Sequence, residues 1–239
     1  MVLSNSLGTD MWMWEGVLPA LTSRFRVLRY DQRGHGGSPA PSGPYSIADL
    51  GGDALELLDR LELERVSFCG LSLGGMTGMW LAVNAPERID RLGLLCTSAH
   101  LPPREDWEDR AARVRAAGMD QLVEASLERW FSPELAERQP EVVERGRQGL
   151  RAVEPEGYAS CCEAIAGHDL RARLGEVRAP TLVIATEDDP STPPEHGREI
   201  AGGIDGARLL VLEHGRHLVA AEHPEECARE LLGHLGGAG

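Results

Sequence analysis

Six short apolar runs, most of them separated by longer segments with helical patterning, constrain this chain's fold more than any other feature. The runs are Met1–Ser4, Phe25–Tyr30, Val66–Gly70, Leu92–Cys96, Thr181–Ala185 and Leu209–Leu212. Each is too short for a helix and ends in turn-forming or polar residues, so each predicts a buried strand. Ser46 with Asp49 three residues on forms a capping box ahead of Ala54, Leu55, Leu57, Leu58 and Leu61 at helical spacing. Gly74–Asn84 and Pro224–Leu235 carry similar signals. Strands that alternate with helices pair in parallel, which predicts an α/β fold: a mostly parallel sheet with helices on both faces. A length of 239 residues suits one core of that kind.

One stretch interrupts the alternation. From about Leu101 to Ala179 no strand pattern occurs, only charged amphipathic segments at Trp107–Ala117, Met119–Phe131 and Pro140–Leu150. The expected organisation is therefore a core in two parts, residues 1–100 and 179–239, interrupted by a helical cap over 101–178. Ligands of open α/β sheets bind beyond the carboxyl ends of the strands, where such a cap would sit.

The chemistry begins where the run at Val66 meets Gly70-Leu71-Ser72-Leu73-Gly74-Gly75. A G-x-S-x-G string alone is a weak signal, but here a strand precedes it and a helix pattern follows at once. The turn is tight, so small residues are needed at Gly70 and Gly74, and Ser72 is pushed out at the top of the sheet. The helix that starts there aims backbone N–H groups, that of Leu73 among them, at an oxyanion forming beside the serine. A serine hydroxyl needs a base, and the base needs a group to hold its tautomer. His214 and His217 follow the last strand run, and Glu187, Asp188 and Asp189 follow the one before it. The order serine, acid, histidine is that of nucleophile-elbow enzymes. A metal site from His214 and His217 with Asp188 or Asp189 is the competing reading, but neither spacing nor loop context matches a zinc pattern.

Composition narrows the function further. All 24 basic residues are arginine, which excludes a lysine Schiff base and the phosphate-loop lysine. A net charge of −14 argues against nucleic acid and against anionic membrane surfaces. No apolar run is long enough for a membrane helix and no charged leader is visible, so the expected location is cytoplasmic. Five cysteines without C-x-x-C spacing predict neither a disulfide framework nor a zinc site.

With these motifs in place, the chain resembles the α/β-hydrolase superfamily over essentially its whole length. Asp31-Gln32-Arg33-Gly34-His35-Gly36-Gly37-Ser38 is similar to that family's D-x-R-G-x-G-x-S loop. More closely, the chain resembles the bacterial 3-oxoadipate enol-lactonases. The likeness rests on Asn5-Ser6-Leu7-Gly8-Thr9-Asp10, on Gly70 through Gly78 and on Cys96-Thr97-Ser98-Ala99-His100. It extends to Arg129-Trp130-Phe131, to Gly157-Tyr158 with Cys161-Cys162-Glu163-Ala164-Ile165, and to Asp189-Pro190-Ser191-Thr192-Pro193-Pro194-Glu195-His196-Gly197. Many hydrolases of this fold carry histidine and glycine where Asn5-Ser6 stands, and the asparagine-serine form is typical of the lactonases.

The resemblance implies Ser72 as nucleophile, His217 as general base and Asp189 as its orienting acid, with the N–H groups of Leu7 and Leu73 as oxyanion hole. His217 is preferred over His214 because the family's Glu222-x-Pro224 pattern follows it, and Asp189 over Asp188 because Asp189-Pro190 aligns with the family's aspartate. It further implies an anionic enol-lactone with an acetate arm as substrate, hydrolysed in aromatic-compound (protocatechuate and catechol) degradation, with no metal or organic cofactor. A carboxylesterase, another lactonase, or a hydrolase-like ligand-binding protein with little turnover are the alternatives. In a lysine-free acidic chain an arginine must meet the substrate's charge, and Arg33, Arg129 and Arg216 are the candidates, with Trp130 as a pocket wall or as cap packing. The family opens with two further strands before the one carrying the oxyanion loop, so the expectation is a shortened chain or a sheet lacking its first edge pair.

Overall fold

The computed structural model describes residues 1–236. Six strands form one sheet in the order β2-β1-β3-β4-β5-β6, every neighbouring pair parallel. They are β1 (Val2–Ser4), β2 (Leu28–Tyr30), β3 (Val66–Leu71), β4 (Ile89–Leu95), β5 (Thr181–Thr186) and β6 (Arg208–Leu212). All six predicted strands are present. The second is shorter than its apolar run, because the Phe25 N–H still closes the preceding helical turn on Leu21 O at 2.9 Å.

Helices α1 (Leu18–Thr22), α2 (Ile47–Arg60) and α3 (Leu73–Asn84) make the first crossovers, with the Ser46–Asp49 capping box formed at the start of α2. Between β4 and β5 lies a helical insert: α4 (Arg104–Ala117), α5 (Val123–Trp130), α6 (Pro133–Arg138), α7 (Pro140–Ala152) and α8 (Pro155–Ala166). α9 (Pro194–Gly203) joins β5 to β6, and α10 (Val219–Glu222) and α11 (Pro224–Leu235) follow. α3 lies over Phe68 and Leu92, while Leu231 of α11 approaches the neighbouring Gly93 from the other side. Successive residues of a strand face opposite ways, so the sheet is covered on both faces and its strands are apolar throughout.

The strand order places the site. From β1 the chain steps outward to β2, then returns past β1 to β3 and continues toward the opposite edge. That reversal puts the loops after β1 and β3 side by side at the carboxyl end of the sheet, where a crevice opens in doubly wound folds. The loops after β5 and β6 end on the same edge.

The insert is seated on the core by backbone contact. Gly34, at φ +77°, meets Gly157 of α8 so closely that a Cβ on either would strike the other's backbone. Among the described residues no helix is long and apolar enough to cross a membrane. The five cysteines are free and buried, and burial pushes the thiols of Cys69 and Cys96 well above their ordinary range.

Candidate active site

Ser72 joins β3 to α3 at φ 55° and ψ −114°, a conformation a non-glycine residue adopts only under constraint. The constraint is visible. The Ser72 N–H donates to Leu95 O at 2.9 Å, Thr97 Oγ1 donates to Ser72 O at 2.6 Å, and the Gly74 N–H donates to Asn5 O at 3.0 Å. A Cβ on Gly70 would run into the backbone of Gly74 and Gly75, and one on Gly74 into Ser4 and Asn5. Both glycines are therefore steric requirements of the turn, as its sequence suggested.

The loop after β1 is braced from several sides. Asn5 Nδ2 donates to Tyr30 O, while Asn5 Oδ1 accepts from Trp14 Nε1 at 2.9 Å. Gln32 Nε2 donates to Asn5 O at 3.1 Å, and the Met11 N–H donates to Asp31 Oδ1 at 2.9 Å. The Gly8 N–H donates to His35 Nε2 at 2.9 Å, so the ring hydrogen sits on Nδ1 and points to Arg33 O at 3.1 Å. Burial lowers the His35 pKa, which favours that neutral form. The Asp31–Ser38 loop is thus a brace for the loop carrying Leu7, a role its motif alone did not reveal. Among the described residues no protein acceptor takes the N–H of Leu7 or of Leu73, which leaves both available to a ligand oxygen.

At the far side of the crevice, His217 Nδ1 donates to Asp189 Oδ2 at 2.8 Å, and both side chains are buried. Asp189 also accepts from the Ser191 and Thr192 N–H groups and from Thr192 Oγ1 at 2.7 Å. Burial would raise the Asp189 pKa, but the facing His217 and these donors outweigh it and hold the carboxyl at about 2. The bond at Nδ1 leaves His217 Nε2 as the free face of the ring. Ser72 and His217 line one cavity of about 40 Å³, together with Leu7 and Thr192, though no hydrogen bond joins Ser72 Oγ to His217. In an empty site such bonds are often long and tighten on substrate.

Of the competing positions, His214 is not part of the cavity lining, and its carbonyl accepts from His223 Nε2 at 2.8 Å. Among the described residues no cluster of three or more histidine, cysteine or acidic side chains could hold a metal. Glu222 is explained by its contacts, since its carboxylate accepts from the Arg216 N–H at 2.7 Å and from the Ser132 N–H at 2.9 Å, tying the histidine loop to the insert.

The candidate arginines separate. Arg129 lines the cavity, as does Trp130, which also packs edge-on against Phe131 at 6.4 Å. Arg33 does not: it is forked onto Asp53 at 2.5 and 2.6 Å, sits over the Tyr45 ring, and lines a separate groove of about 350 Å³ along the β2 edge. Arg216 likewise stays outside, with its guanidinium on Glu128 O. A residue that sequence reasoning did not single out, Arg110 of α4, lines the cavity instead. Nothing in its surrounding string marks it off from neighbouring surface arginines.

The α/β hydrolase fold family matches residues 1–224. The chain belongs to that family. As a hydrolase it is 40% identical to 3-oxoadipate enol-lactonase 2 of Acinetobacter baylyi over 225 residues, covering 94% of this chain and 84% of the relative. The enol-lactonase structure from Burkholderia xenovorans LB400 superposes with a TM-score of 0.96 at 44% identity, covering 99% of this hydrolase and 90% of that chain. A thermophilic esterase from Thermogutta terrifontis, solved with malate bound, gives a TM-score of 0.91 at 28% identity over 96% of this chain and 86% of its own.

Proposed function

We propose that this hydrolase opens the ring of 3-oxoadipate enol-lactone to 3-oxoadipate through an acyl-enzyme on Ser72. The observation that carries the reading is His217, held by the buried Asp189, lining the same cavity as the strained Ser72, and the likeness to enol-lactonases supports the substrate. Ser72 Oγ attacks the ring carbonyl as His217 Nε2 takes its proton. Asp189, ionised through the neutral range, holds the ring tautomer and stabilises the imidazolium that forms. The developing oxyanion is met by the Leu7 and Leu73 N–H groups, each such donor lowering the barrier by about 2.7 to 4 kcal/mol. The ring C–O bond breaks, and the enol oxygen receives the proton from His217 and tautomerises to the ketone. Water, deprotonated by His217, then cleaves the acyl-serine ester, and the proton returns to Ser72. No step requires a metal or an organic cofactor. The insert serves as a cap over this chemistry, and the enzyme acts on a soluble small molecule in the cytoplasm.

A simple ester hydrolase is the second reading, supported by the esterase likeness. Ultraviolet loss of enol-lactone with wild type and Ser72→Ala tests the proposal. Loss of nearly all turnover in the variant is expected, and equal rates for both proteins would sink it. Faster turnover of neutral aryl esters than of the enol-lactone would favour the esterase.

A further inference from the structure

The charges lining the catalytic cavity come from an unexpected place. Its core-derived polar groups are serine, threonine and histidine, whereas its two guanidinium groups, Arg110 of α4 and Arg129 of α5, both belong to the insert. Elsewhere on the insert arginines are either matched by acids or exposed to water: Arg115 bridges Glu156 and Glu163, Arg147 is held by Glu124 and Glu144, and Arg113 and Arg138 lie exposed. Among the described residues neither Arg110 nor Arg129 has a carboxylate partner. Arg110 lies over the Trp107 ring at 4.7 Å, and Arg129 Nη2 donates to Ser126 Oγ at 3.0 Å. The two line the same cavity, and burial and the neighbouring Arg110 lower the Arg129 pKa against the weaker opposing pull of Tyr158 and Glu128.

A half-buried pair of like charges, unmatched in a chain of net charge −14, is costly in the empty protein. A bound anion would offset that cost. The location fits one particular kind of anion. A vestibule of about 180 Å³, lined by Leu101, Pro103, Trp107 and Pro190 and by one acid, Asp106, shares both arginines with the cavity that holds Ser72. The inner cavity, at about 40 Å³, has room for only a few waters. An acyl group can reach Ser72 from the vestibule while the rest of the molecule stays beside the arginines.

We propose that Arg110 and Arg129 together form a carboxylate seat at the junction of vestibule and cavity, and that the enzyme selects lactones and esters bearing a free carboxylate. This rests on the serine-hydrolase reading of the same cavity. The guanidinium groups offer several donors in fixed forks and remain charged, which suits a carboxylate better than any other group in this lysine-free chain. Arg129 is also coupled to the catalytic loop, since its carbonyl accepts from the His217 N–H at 3.3 Å and that of Trp130 from the Leu218 N–H at 3.2 Å. A carboxylate held on the pair is thereby held in a defined relation to the base.

The test uses a matched pair of substrates, the para-nitrophenyl monoester of glutaric acid and para-nitrophenyl valerate, which differ chiefly in one terminal carboxylate. Wild type is expected to favour the charged ester in kcat/KM, with the preference shrinking as sodium chloride rises. Arg110→Gln and Arg129→Gln should each lower the charged-to-neutral ratio about tenfold or more, mainly through KM, and Arg→Lys at either position should restore part of it. Wild type favouring the neutral ester, or Gln variants that lower both substrates equally, would overturn the seat. If the Gln variants fail to fold, the wild-type salt dependence decides: the charged substrate must lose rate and the neutral one must not. Ser72→Ala separates the two readings. If it hydrolyses both esters as fast as wild type, the hydrolase reading fails, and glutarate binding to Ser72→Ala with and without Arg129→Gln still decides the seat.

Discussion

The carboxyl edge of the sheet and the helical insert face each other across one cavity, yet they are built on opposite electrostatic terms. On the core side the functional groups are buried and their carriers fixed: Ser72, Asp189 and His217 are 7%, 2% and 4% exposed, and hydrogen bonds hold the loops that carry them. On the insert side, Arg110 and Arg129 are half-buried and, among the described residues, neither forms a salt bridge with a carboxylate. On the proposed function, the difference separates two tasks. Groups that act on the transition state must already be in place, because reorganisation at that moment adds to the barrier. Groups that recognise a ligand's charge are completed by the ligand itself.

Breaking the core side should affect every substrate alike. His217→Ala is expected to lower kcat about 10⁴- to 10⁶-fold on charged and neutral esters equally, while His214→Ala stays within a few-fold of wild type. The reverse pattern in steady-state assays would reassign the base. His35→Ala removes the acceptor for the Gly8 N–H and should cost about 10²-fold in kcat with little change in KM, as expected for an oxyanion loop that has lost its brace. A KM effect confined to the charged ester would instead make His35 part of recognition.

The joint between the two regions carries a pH signature. His168 is 5% exposed, and burial lowers its pKa to about 4, against an ordinary histidine near 6.5. Asp169 opposes this shift and His100 adds to it, while His100 Nδ1 donates to the His168 carbonyl at 3.0 Å. A depressed histidine pKa favours the neutral native form, so its contribution is complete above about pH 6.5 and is lost as pH falls toward 4. Urea unfolding should show about 2 kcal/mol less stability at pH 4.5 than at pH 7 from this group, and His168→Leu should flatten that slope. The smallest effect is expected at Arg33. Arg33→Ala should lower stability by about 1 kcal/mol through its partly exposed pairing with Asp53, and leave the charged-to-neutral substrate ratio within twofold. A large fall in that ratio would return Arg33 to the list of substrate ligands.

Much of the core was legible because its signals are local. Each strand run lies between turn residues, and the Ser46–Asp49 box and the Gly70–Gly74 turn announce themselves within a few positions. α8 was less visible. It is buried on nearly all sides between α4 and the core, so it has no polar stripe to reveal a helical period. The apolar run at Phe25–Tyr30 overstated its strand because Phe25 lies in the turn after α1. His35 drew no attention as a brace, since its partner Gly8 is 27 residues away in sequence.

The sequence by itself determined the alternating α/β plan, the strained serine turn, and a serine–acid–histidine order that one edge of a parallel sheet can bring together. These follow from backbone sterics and hydrophobic periodicity, which act over short stretches of chain. Only the tertiary structure brought His217 and Asp189 into contact and decided which arginines line the cavity with the serine. Arg33 and Arg110 are chemically identical in the sequence. One is neutralised by Asp53 on a neighbouring helix and the other is left unpaired beside Arg129, a difference created by through-space neighbours that no local pattern encodes.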